Sequence, residues 1–130
     1  MVATRVVAIH VRMGDYHKLE VWHLACALSD EVATLVTELP GGRSSAIGDQ
    51  LSRSADSIHQ NISEGCGYDT DRQLAKFLRQ ARGSTDEVQD ELETLQRRRL
   101  LPAGYTHLLA DAKLIAKKLS RLIETVERRG

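Results

Sequence analysis

Glu20 and His23 stand three residues apart in "EVWH". With that spacing one helix presents two metal ligands to the core of a bundle. A dimetal site of this type needs a second Glu-x-x-His and two further inward glutamates, and the chain has no second copy of the motif. The apolar pattern also puts Trp22, not His23, on the core side. His10, His17, His59 and His107 have no acid at catalytic spacing. Cys26 and Cys66 are too few and too far apart for a disulfide scaffold, and they match no metal-type spacing. Cys66 lies beside a helix end, where a thiol can be activated, yet no base adjoins it. The serines lack a nucleophile-elbow context, and Gly41-Gly42 and Gly65-x-Gly67 follow no strand, so they read as helix terminators and not as phosphate cradles. The expectation is a protein without catalytic residues, metal or cofactor.

A second set of polar residues is more regular. Ser57, Asn61 and Glu64 are spaced by four and three, which makes one row on a helix. Ser84 and Glu87 make a similar row further along, next to Gly83. If the rows face each other, buried polar groups satisfy one another, the condition for burying them at all. They then form an interhelical polar network that fixes register, with Gly83 admitting a close backbone. The alternative is a ligand or metal site built from the same residues.

Basic residues supply the third candidate. Arg72, Lys76, Arg79 and Arg82 form one stripe and Lys113, Lys117 and Arg121 another, with Arg97, Arg98 and Arg99 near the turn between them. Such stripes track phosphates when they are not simply a solvated face. No aromatics interleave them, so stacking on bases is not expected.

The elements that carry these residues are helices. The chain has 130 residues, 42% hydrophobic and 28% charged, with two prolines and 4% aromatics. That is enough for one domain with a real core, and the composition favours helix over sheet. The formal net charge is zero, but residues 1–68 carry 5 basic and 8 acidic side chains, net −3, and residues 69–130 carry 13 and 10, net +3. Any electrostatic partner must therefore be held by a local patch. No apolar run approaches the roughly 20 residues of a membrane span. Two reduced thiols suit a cytoplasmic protein.

From about Tyr16, Leu19, Trp22, Cys26, Ala33 and Val36 recur at helical intervals, broadened by Leu28, Val32, Leu35 and Leu39, until "LPGG" breaks the run. Ser44 or Ser45 caps a second helix through Ile47, Leu51, Ala55, Ile58 and Ile62, ended by Gly65 and Gly67. Asp69 or Thr70 caps a third through Leu74, Phe77, Leu78, Ala81, Val88, Leu92 and Leu95, interrupted by Gly83-Ser84 and broken at "LLPAG". A fourth runs from about Gly104 through Leu108, Ala112, Ile115, Leu119, Leu122 and Val126. Four amphipathic helices with short breaks predict an all-α, antiparallel up-down-up-down four-helix bundle over residues 16–130. Residues 1–15, rich in Val6, Val7, Ile9 and Val11, do not follow the helical pattern. They read as a flexible extension, a short strand, or an upstream addition before Met13, and not as a signal peptide. Trp22, Leu24, Leu28, Leu109 and Ile123 lie beyond the first-choice core and are expected to supply a subunit interface.

Three stretches carry a family likeness: "LEVWHLACALSDEV", "QLSRSADSIHQNISEG" and "FLRQARGSTDEVQDELE". They resemble the small four-helix-bundle proteins encoded in intervening sequences of bacterial 23S ribosomal RNA genes, relatives of the accessory variability determinant of diversity-generating retroelements. The likeness spans residues 16–126. It implies a homo-oligomer, with ring-shaped pentamers known in the family, and no established enzymatic activity. The retroelement relatives are strongly basic and bind RNA or DNA; this chain is neutral, and Tyr68 stands where they usually carry a basic residue.

Overall fold

The computed structural model describes residues 15–129. The extension expected over residues 1–15 lies outside the described residues except for Asp15. Four helices make the fold: α1 (Glu20–Thr37), α2 (Ala46–Cys66), α3 (Asp71–Arg97) and α4 (Leu108–Arg129). Short 3-10 turns at Tyr16–Lys18, Gly42–Ser44 and Ala103–Tyr105 precede α1, α2 and α4. No strand occurs among the described residues, and no helix there is long and apolar enough to cross a membrane.

Local chemistry sets each boundary. After α1, Gly41 and Gly42 take φ of 78° and 53°, a left-handed region that costs glycine little. Ser45 caps α2 by accepting a hydrogen bond from the Gly48 N–H at 3.1 Å, and Thr70 caps α3 by accepting from the Gln73 N–H at 3.2 Å. α3 runs unbroken through Gly83 and Ser84, because one glycine costs a long helix only about 1 kcal/mol. It ends in a Schellman motif: the Leu100 N–H donates to the Leu95 carbonyl at 2.8 Å and the Arg99 N–H to the Gln96 carbonyl at 3.0 Å. Arg99 holds the left-handed position, φ 60°, that glycine usually fills.

The four helices close a ring in which each packs on its neighbours in sequence and α1 also packs on α4. Pairs along the α2–α3 and α3–α4 interfaces descend in one helix as they ascend in the other. Ser54 meets Glu91 and Ser57 meets Ser84 across α2–α3, and Arg82 meets Ser120 and Asp71 meets Arg129 across α3–α4. Leu35, Leu51, Ile58, Ile62, Leu74, Leu78, Leu92 and Leu119 are fully buried at the centre.

The core face of α1 is rotated from the expected one. Val21, Ala25, Leu28, Val32, Leu35 and Val36 face inward, while Trp22 and Cys26 are half-buried and Ala33 is exposed. Leu28 and Ile123, expected at a subunit interface, belong to the core instead, 2% and 3% exposed. Gly65 lies inside the last turn of α2, and Gly67 follows it with right-handed φ of −80°, so neither acts as a left-handed terminator.

Candidate functional site

The α2–α3 seam holds the polar row. Asn61 Nδ2 donates to Ser57 Oγ at 2.9 Å and to the Ser57 carbonyl at 2.8 Å, and the Ser57 and Ser84 hydroxyls share a hydrogen bond of 2.8 Å. Glu64 and Glu87 are exposed and take no part in these bonds. The row closes as a three-residue chain because Ser84 faces α2, while Glu64 and Glu87 fall on the solvent side of their helices. One turn further, Ser54 Oγ donates to Glu91 Oε2 at 3.3 Å. The other Glu91 oxygen is buried with no partner. Burial, opposed by the Ser54 hydrogen bond and aided by the Glu87 and Asp90 charges, pushes the Glu91 carboxyl up to about 7. The spacing pattern passed over Glu91, because a lone Glu in a charged stretch looks solvated.

Close helix approach belongs to Gly65, not Gly83. A Cβ on Gly65 would stand 2.9 Å from Phe77 Cβ and 3.2 Å from Leu74 Cδ1, whereas one on Gly83 would meet nothing within 4 Å. Gly83 lies on the exposed face of α3.

The basic residues are divided. Arg79 pairs with Glu127, and Arg82 donates to Ser120 Oγ at 3.2 Å, so both join α3 to α4. Arg72, Lys76, Arg97, Arg98, Arg99, Lys113, Lys117 and Arg121 are exposed. Exposed Asp86, Glu87, Asp90 and Glu93 fill the α3 surface between Arg82 and Arg97, so the two basic parts of α3 are not continuous. Arg129 holds Asp71 in a bidentate pair at 2.7 and 2.9 Å, joining the end of α4 to the start of α3.

Glu20 and His23 do not converge. Glu20 pairs with Lys118 at 2.6 Å, while the His23 ring contacts the His17 carbonyl at 2.6 Å. Cys66 is buried, and burial, aided by the Asp15 charge, pushes its thiol up to about 12; Cys26 is raised by burial and by Asp30. Both thiols stay protonated at neutral pH, where a thiol is a poor nucleophile. His107 does have an acid partner: its Nε2 lies 2.7 Å from Glu31 Oε2, across a sequence separation that no local spacing reveals.

The α1–α4 interface is the least extensive of the four. A groove of about 110 Å³ opens there, lined by Leu24, Ala27, Leu28, Glu31, Asp111, Leu114 and Ile115. Leu114 is 45% exposed, the most exposed large apolar side chain among the described residues. It escaped the pattern because it sits between core positions Ala112 and Ile115 without sharing their face.

Fold and seams together define an all-α four-helix bundle with one polar, closely packed seam and one open apolar seam. The chain belongs to the 23S rRNA-intervening sequence protein family, whose model matches residues 17–121. No curated protein matches it.

Proposed function

We propose that this chain is a non-catalytic, cytoplasmic, homo-oligomeric bundle that acts as a scaffold or protein-binding module, with the α1–α4 groove as its subunit contact. The observation that carries this reading is the apolar lining of that groove, with Leu114 45% exposed beside Leu24 and Ala27. An apolar strip left open on a soluble bundle is usually covered by another copy, commonly in closed symmetry. The resemblance to ring-forming relatives favours a pentamer. Light scattering of the purified chain is the test. A mass several times 14.5 kDa that collapses in Leu114→Lys supports the reading, and a wild-type mass of one chain ends it.

A second reading, binding of structured RNA or DNA, is favoured by the exposure of Arg72, Lys76, Lys113, Lys117 and Arg121. Repetition around an oligomer multiplies a weak basic surface. Fluorescence anisotropy with labelled RNA and DNA tests it: binding should fall steeply with salt and vanish when Arg72, Lys76 and Lys117 are reversed to Glu. Salt-independent or absent binding removes it.

A further inference from the structure

At the end of the α1–α4 seam, three side chains from distant parts of the sequence converge. His107 and Asp111 are four residues apart at the start of α4, and the Asp111 N–H donates to the His107 carbonyl at 3.1 Å, so one turn presents both. Glu31 reaches them from α1, with its Oε2 2.7 Å from His107 Nε2. One ligand atom from each of the three lies within 4.8 Å of the other two. Glu31 and Asp111 also border the groove, above the apolar floor of Leu24, Leu28 and Ile115.

This donor set suits a particular class of ion. Zinc takes imidazole nitrogen and carboxylate oxygen at about 2.0–2.2 Å, which places ligand atoms roughly 3–4 Å apart. The three donor atoms lie within 4.8 Å of one another, so small side-chain adjustments bring them to that spacing. Two carboxylates supply the charge that offsets a divalent cation, and three protein ligands leave a fourth position for water. Magnesium and calcium prefer oxygen alone and gain nothing from the imidazole. Late first-row cations bind nitrogen and carboxylate together, in an order that rises to copper and falls back at zinc.

We propose that Glu31, His107 and Asp111 form a binding site for a zinc-class divalent cation that clips α1 to α4. The ion would join the two helices whose interface is the least extensive, at a point now held only by side chains on the surface. It would replace the direct His107–Glu31 contact with two metal bonds. Acid weakens such a site, because protons compete for the imidazole and the carboxylates.

The test uses the full chain without an affinity tag, stripped with a chelator and titrated with zinc chloride by calorimetry near neutral pH, with magnesium chloride as a parallel probe. One zinc ion per chain is expected, with no response to magnesium and a melting temperature that rises with free zinc. His107→Gln and Asp111→Asn should each weaken zinc at least about tenfold, while Glu20→Gln and Cys26→Ser leave it unchanged. These surface variants should melt like the wild type without metal. Cobalt chloride gives an independent reading: visible absorption bands without a thiolate charge-transfer band, lost in His107→Gln. Absent zinc binding, binding untouched by both variants, or binding lost with Cys26→Ser would overturn the proposal.

Discussion

Along the α2–α3 seam, Gly65 lets Phe77 and Leu74 come against the α2 backbone, and Ser57 bonds across to Ser84 while accepting from Asn61 of its own helix. Along the α1–α4 seam, contact is made by the ends of long side chains, Glu20 with Lys118, Glu31 with His107 and Glu38 with Tyr105, while a groove stays open beside Leu114. Polar groups appear in both seams but do different things. In the first they are partly or wholly buried, Ser84 fully and Ser57 and Asn61 in part, so matching them favours one register. In the second they remain in water, where pairing is worth little, and the apolar surface beneath them stays available. The α2–α3 seam is thus the more closely packed of the two, and on the function proposed above the α1–α4 seam is the one left for a partner.

The largest effect expected on this contrast comes from two glycines. Gly65→Val should destabilise the protein by about 3 kcal/mol, because the new side chain meets Phe77 in a packed seam. Gly83→Ala should instead be neutral or stabilising by up to about 1 kcal/mol, since its Cβ meets open space. Urea unfolding of both variants measures this, and equal losses would erase the difference between the positions.

Next comes the buried carboxyl of Glu91. Its ordinary value of 4.5 rises to about 7 on folding, so the folded chain holds this proton more tightly than the unfolded chain. Its stabilising contribution is full below about pH 4.5 and declines as pH climbs through about 7. Glu91→Gln should remove that decline and leave the variant more stable than wild type by about 2 kcal/mol on the alkaline side. Unfolding free energies across this range check it, and parallel wild-type and variant profiles would count against the assignment.

Smaller still is the Ser57 hydroxyl, whose loss in Ser57→Ala should cost about 1 kcal/mol, since Ser84 loses its partner across the seam. Smallest is Lys118→Ala on the other seam. Its pair with the exposed Glu20 should be worth no more than about 0.5 kcal/mol by thermal unfolding. If Lys118→Ala cost more than Ser57→Ala, the ranking of the two seams would be reversed.

Much of this architecture was legible in residue order, for physical reasons that also explain the failures. The number of helices followed from apolar periodicity and from the breakers "LPGG" and "LLPAG", and Ser45 and Thr70 were among the candidate caps. The rotation of α1 was not legible because Val21, Trp22, Leu24, Ala25, Cys26, Ala27 and Leu28 are apolar on nearly every side, which leaves periodicity little contrast. In the polar row, Ser57 and Ser84 meet across the seam while Asn61 bonds to Ser57 within α2, and the spacing also carried Glu64 and Glu87, since a period of three or four tolerates residues at the edge of a face. Gly65 and Gly83 look alike in sequence and differ only in what stands opposite. The Glu31–His107–Asp111 cluster joins residues from α1 and from the start of α4, a proximity created by the fold alone.

Hydrogen exchange read peptide by peptide, on the chain at high and at low concentration, separates the two seams. Dilution should deprotect the peptides around Leu24 and Leu114, while those around Ile62 and Leu78 stay unchanged. Protection that is independent of concentration everywhere, or a change that falls on α2 and α3 instead, would contradict that separation.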